Sequence, residues 1–126
     1  MPEKIRVIFV DDDRYQLEFA KLFLEPGDDM LIEYSSSPHD ALEEIRRNRF
    51  DIVVTDYRMS GMDGIELVRA IRQTSKVPII VYSVWDEESV KKSALSAGAN
   101  RFILKQPSTE SFTHLAEEIR SLAGIR

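Results

Sequence analysis

The sequence predicts an α/β fold built on a parallel sheet, and three observations carry that expectation. Short apolar runs recur five times: "IRVIFV" at 5–10, "LIEYS" at 31–35, "DIVVT" at 51–55, "VPIIVYS" at 77–83 and "RFILK" at 101–105. The third and fourth runs are β-branched and unbroken, as in strands covered on both faces. The stretches between runs have helical spacing, and strands alternating with helices make βα units.

Each boundary has its own signal. Pro26-Gly27 closes the first helix, in which Tyr15, Phe19 and Phe23 at i, i+4 and i+8 read as core. Pro38 opens the second helix. Gly61 and Gly64 mark a loop before the third, with Asp63 in the turn beside Gly64 and Met59 and Met62 as loop packing. Gly98 follows the fourth, and Ser108 is the expected cap of the fifth. In that last helix Phe112, Leu115, Ala116, Ile119, Leu122 and Ala123 form one apolar face.

Composition narrows the function. A chain of 126 residues has room for one domain, 1–126, with a sizeable core. The formal charge of −5 argues against direct nucleic-acid binding, which normally shows a basic stripe. The pairs Arg46-Arg47 and Lys91-Lys92 read as solvated helix faces. With no cysteine, disulfides and thiolate metal sites are excluded. No signal peptide or membrane-length run is present, so the expectation is a soluble, cytoplasmic domain with no membrane contact.

The chemistry collects where the apolar runs stop. The first ends in Asp11 and Asp12, the third in Thr55-Asp56, the fourth in Ser83 and the fifth in Lys105. In open parallel sheets ligands bind outside the carboxyl ends of the strands. Any one of these residues alone reads more simply as a cap or a surface charge, as Asp13 does at the helix start. Convergence from four segments is harder to dismiss. Hard oxygen ligands suit Mg2+, which takes one or two carboxylates and leaves room for a phosphate. A hydroxyl and an ammonium beside it make a phosphoryl-transfer site, with Asp56 as candidate nucleophile.

At this point the motifs "VDDD" at 10–13, "DIVVTDYRMSGMDGIEL" at 51–67, "PIIVYS" at 78–83 and "AGANRFILK" at 97–105 resemble the receiver domain of two-component response regulators. The resemblance runs along essentially the whole chain. It implies a flavodoxin-like, doubly wound sheet of five strands in order 2-1-3-4-5 with five helices. It also implies that Asp56 accepts a phosphoryl group from a phosphohistidine of a sensor histidine kinase or phosphotransfer protein. Asp11, Asp12, Asp56 and the backbone carbonyl of Arg58 would hold Mg2+. Ser83 and Lys105 would bind phosphoryl oxygens, and Phe102 would turn inward as Ser83 moves. The output would be a changed surface read by a downstream protein, around the fourth helix, fifth strand and fifth helix. Such a face also leaves room for a dimer. The domain would be a switch, not an enzyme, catalysing only its own phosphorylation and dephosphorylation.

The sequence departs from the family pattern at Gln106, between Lys105 and Pro107, at Val84 after Ser83, and at Ser60 after the acceptor. Gln106 predicts a trans bond after Lys105 and puts the ammonium's position in question. Val84, with Arg58 and Trp85, is expected to shield the acceptor. His39 and His114 lack ligand spacing and are expected to face solvent. Two other readings stand beside the switch. A receiver-like module could act by protein contact without phosphorylation. A haloacid-dehalogenase-type phosphohydrolase could use Asp11 and Asp13, but no Asp follows Lys105 to supply its acidic motif. With no output segment evident, the signal is expected to leave by protein contact, unless the chain is a piece of a longer regulator.

Overall fold

Residues 3–124 are described by the computed structural model. Strands β1 (Ile5–Val10), β2 (Met30–Ser35), β3 (Ile52–Thr55), β4 (Ile79–Ser83) and β5 (Arg101–Leu104) alternate with helices α1 (Arg14–Leu24), α2 (Pro38–Arg47), α3 (Gly64–Arg72), α4 (Glu88–Ala97) and α5 (Glu110–Gly124). The sheet is parallel throughout, in order β2-β1-β3-β4-β5. Strand order therefore reverses between β1 and β3, and that reversal opens the crevice where ligands of such sheets bind. Among the described residues no helix is long and apolar enough to cross a membrane.

Side chains alternate across the pleat, so each strand feeds two cores. Val7, Phe9, Val54, Ile80 and Tyr82 pack with Leu17, Leu24, Leu115 and Ile119, under α1 and α5. Ile8, Val10, Val53, Ile79 and Val81 pack with Leu42, Ile45, Leu67, Val68 and Ile71, mainly under α2 and α3. All residues of β3 and β4 are buried, which explains their unbroken apolar runs.

The helices start and stop for local reasons. Asp13 caps α1 by accepting from the Tyr15 N–H at 2.9 Å. Ser37 caps α2, with Pro38 in its first turn. Asp63 and Glu66 form a reciprocal capping box at the head of α3. Gly98 ends α4 at φ +119°, and the Arg72 side chain lies against it so closely that a Cβ there would sit 2.8 Å from Cγ. Arg72 also donates to the carbonyls of Gly98 and Val77, tying the end of α3 to the turns before β4 and β5.

Two expectations from the sequence are corrected. Ser108 does not cap α5 through its hydroxyl: the helix begins two residues later, and it is the Ser108 carbonyl that accepts, from the Ser111 N–H and hydroxyl. The second correction concerns α1. Leu17, Ala20 and Leu24 face the core, whereas Tyr15 is 78% exposed, Phe19 47% and Phe23 40%. At about 100° per residue the chain carries two apolar stripes side by side, and the sheet takes the aliphatic one. Phe23 finds a neighbour in Phe112, stacked at 5.4 Å between centroids. The fully buried apolar face of α5 is as expected.

Leu115 is fully buried between α5 and the sheet, and Leu31 on the edge strand is 58% exposed. Leu115→Ala is therefore expected to cost about 2–5 kcal/mol in urea unfolding, from lost transfer energy and the cavity left behind. Leu31→Ala should stay within about 0.5 kcal/mol of wild type.

Candidate functional site

Backbone pairing continues one residue past the strands and sets the acids side by side. Val10 is opposite Thr55 at the end of the β1–β3 ladder, and the next N–H on each chain still bonds: Asp56 to the Val10 carbonyl and Asp11 to the Ser35 carbonyl, both at 3.0 Å. On the other side Lys105 N–H donates to the Ser83 carbonyl at 2.8 Å. Asp11, Asp56, Ser83 and Lys105 thus stand at the carboxyl ends of four strands because the ladder holds their backbones there.

The side chains meet. Lys105 Nζ lies 3.0 Å from Asp11 Oδ2 and 3.6 Å from Asp56 Oδ1. Asp11 is fully buried and the Lys105 side chain nearly so. Asp11 Oδ1 accepts from the Asp13 N–H, and Asp56 Oδ1 from the Tyr57 N–H. Asp12 accepts at 2.8 Å from the N–H of Ser60, which ties it to the loop that follows Asp56. Ser83 is fully buried, and its oxygen accepts from the Trp85 N–H at 3.2 Å. The intervening Gln106 does not withdraw Lys105 from the acids, and no cis peptide bond occurs among the described residues.

Burial pushes the carboxyls of both Asp11 and Asp56 above the usual range, and the Lys105 ammonium pulls back against it. Asp11 raises Asp56 further, while the Tyr57 N–H and the Ser83 hydroxyl lower it. One ammonium faces the carboxylates of Asp11 and Asp56, with Asp12 close by in sequence. That leaves an excess of negative charge in a poorly solvated place. Among the described residues no three acidic or histidine side chains close round a common point. Mg2+ does not need three, since it binds through one or two carboxylates and keeps several waters. Hard oxygens with net negative charge fit that ion, and Asp11 and Asp56 are the pair positioned to offer them.

The remaining predicted residues lie around this centre. The Arg58 guanidinium stacks 4.5 Å above the Trp85 ring and 5.9 Å from that of Tyr57, whose own ring meets Trp85 edge-on. Phe102, opposite Val81 in the ladder, is half-buried against the α2–α4 side of the sheet. Val84 departs from its expected place beside Arg58 and Trp85. It is 64% exposed and lines a separate cavity of about 460 Å³ with Phe19, Phe112, Lys105 and Pro107. Strand alternation explains the split, because consecutive residues after β4 leave on opposite sides. Asp13 is occupied as the α1 cap, and His39 and His114 are exposed.

In the sequence Gly64 reads only as a loop marker. A Cβ on Gly64 would lie 2.0 Å from the Asp56 carbonyl oxygen, and the Gly64 N–H donates to the Tyr57 carbonyl. The backbone of the acceptor and the head of α3 touch there, so no other residue fits. The Asp63-Gly64 dipeptide was the available signal. Gly64→Ala is expected to destabilise the protein by more than Asp63→Ala, a cap loss of about 1 kcal/mol. Thermal unfolding of the two variants side by side checks the order.

Comparison with known proteins matches this fold. A family model for the response regulator receiver domain matches residues 7–117. The KDP operon transcriptional regulatory protein KdpE of Escherichia coli (strain K12) is 36% identical over 99 residues, which is 79% of this chain and 44% of KdpE. The autoinducer 2 sensor kinase/phosphatase LuxQ of Vibrio vulnificus (strain YJ016) is 35% identical over 103 residues, 80% of this chain and 12% of LuxQ. The chain thus spans less than half the length of these curated relatives. The signal receiver domain of the putative response regulator NarL from Mycobacterium tuberculosis superposes with a TM-score of 0.87 at 28% identity, covering 99% of this chain and 100% of that one. The response regulator domain of Thermotoga maritima CheB gives 0.89 at 25% identity, covering 98% and 99%. With its sheet order, its strand-end acids and these likenesses, the chain belongs to the response regulator receiver domain family of two-component systems.

Proposed function

We propose that the chain is a phosphoacceptor switch in which Asp56 takes a phosphoryl group from a phosphohistidine on a sensor kinase or phosphotransfer protein. The observation that carries this reading is the Lys105 ammonium between Asp11 and Asp56, 3.0 and 3.6 Å away. A carboxylate pushed up by burial is a poor nucleophile unless it is kept ionised, and Lys105 does that.

An Asp56 carboxylate oxygen attacks the phosphorus in line, the P–N bond breaks, and its electron pair stays on the leaving imidazole nitrogen. The product is an acyl phosphate on Asp56. Asp11, Asp12, Asp56 and the Arg58 carbonyl would hold Mg2+, which when bound neutralises charge on the phosphoryl oxygens. Lys105 pairs with one of those oxygens. The Ser83 hydroxyl, which acts now on the Asp56 carboxylate, turns to another. Phe102 follows it inward, and the face of α4, β5 and α5 presents the change to a downstream protein. Energetically this is a shift between two populated arrangements, limited by how much better the phosphoryl group binds one than the other. The domain turns over no metabolite.

The receiver-like module without phosphorylation is the reading to set beside it, and the reach of Lys105 past Gln106 weighs against it. The phosphohydrolase reading needs Asp13 as a catalytic group, whereas Asp13 caps α1.

Incubation with Mg2+ and a small-molecule phosphodonor, followed by intact mass, is expected to add one phosphoryl group to the wild type and none to Asp56→Asn. Lys105→Met should bind Mg2+ yet gain phosphate far more slowly. A wild type that binds Mg2+ and gains no mass would favour the phosphate-independent module.

A further inference from the structure

The outward face of α1 has more apolar surface than the fold uses. Tyr15, Phe19 and Leu22 are 78%, 47% and 62% exposed, and Phe23 40%. At about 100° per residue all four fall in one stripe beside the buried stripe of Leu17, Ala20 and Leu24. A contiguous patch of large apolar side chains on one helix marks an interaction surface.

The charges beside the stripe say what fits it. Arg14, Glu18, Lys21 and Glu25 lie within about 60° of one another along the edge away from α5. That edge borders β2, where Lys21 and Glu25 both meet Tyr34. The opposite edge borders α5, where Phe23 stacks on Phe112. Two positive and two negative groups alternate along the β2 edge in the order plus, minus, plus, minus. Such an edge is complementary to itself run backwards.

We propose that two copies of this chain associate through α1, antiparallel, about a two-fold axis passing between Phe19 and Ala20. A two-fold lying in the contact plane and crossing the helix reverses its direction but keeps each edge on its own side. The charged edge of one copy then lies along the charged edge of the other. Arg14 faces the second copy's Glu25, and Glu18 faces its Lys21, each pair occurring twice. Between them the apolar stripes are buried against each other. A parallel pairing would instead set the charged edge of one copy against the aromatic edge of the other. Glu18 and Lys21, 3.6 Å apart within one helix, have side chains 71% and 46% exposed and can reach such pairing. Nucleic acid finds no basic track here, given alternating signs and a chain charge of −5. The association is independent of whether Asp56 takes a phosphoryl group.

Sedimentation of the unphosphorylated chain from about 1 µM to about 1 mM tests it. A monomer–dimer equilibrium is expected, with Leu22→Arg weakening it by roughly tenfold or more. Glu18→Lys places two cations opposite each other twice and should weaken it several-fold, as should Lys21→Glu. The double variant Glu18→Lys, Lys21→Glu should recover most of the loss, as a contact joining position 18 to position 21 of the other copy predicts. All these positions are exposed, and circular dichroism confirms that each variant folds. A monomer across the whole range would overturn the proposal. So would a dimer indifferent to Leu22→Arg, or a double variant no better than either single one. A monomer whose Leu22→Arg form loses transfer from a phosphohistidine protein would assign the face to the phosphodonor instead.

Discussion

The constraint on which this structure turns is a charge imbalance in a place of poor solvation. Asp11 and Asp56 stand beside each other at the ends of two adjacent strands, and a single ammonium, that of Lys105, lies between them. The carboxyls are raised by burial, not by any accident of a side-chain rotamer. The ladder places both backbones, because the bonds from Asp11 and Asp56 continue the pairing of β1 with β2 and β3. Two apolar cores hold that ladder in register, since a slip of one residue would exchange the faces of every strand. Burial of Val, Ile and Leu far from the site thus sustains an electrostatic arrangement that is unfavourable by itself.

The loops that follow the strands carry this tension outward. Backbone N–H groups of Tyr57, Ser60 and Asp13 donate to the carboxylates of Asp56, Asp12 and Asp11. The same β3–α3 loop sends Arg58 across to Trp85, whose own N–H holds the Ser83 oxygen. Each loop thus bonds its own functional group through a backbone N–H, and the two loops meet through the cation–π contact of Arg58 with Trp85. On the other side of the sheet, Lys105 also borders the cavity between α1 and α5, next to the apolar stripe of α1.

Much of this was legible in the sequence, for a physical reason. A strand that ends in a charged residue is conspicuous, so Asp11, Asp56, Ser83 and Lys105 could be read from where four apolar runs stop. The face of α5 was equally plain because it has one apolar stripe. The stripe Tyr15, Phe19, Phe23 was not, because spacing of four identifies a helix face without saying which of two neighbouring faces meets the sheet. The role of Gly64 is hidden in the sequence because it is a close approach of backbone to the Asp56 carbonyl, which leaves no periodic mark. Val84 went to an unexpected side because adjacent residues diverge after a strand end, and sequence adjacency to Ser83 hid this.

If the excess negative charge at the strand ends is the governing feature, a divalent cation should relieve it before any phosphoryl group arrives. The direct measurement is the thermal midpoint of the unphosphorylated chain as Mg2+ is raised, at constant ionic strength, for the wild type and for Asp11→Asn. A ligand that binds only the folded state raises the midpoint with its concentration. A rise is expected for the wild type and a much smaller one for Asp11→Asn. A midpoint in the wild type that does not move with Mg2+, or that moves equally in the variant, would contradict it.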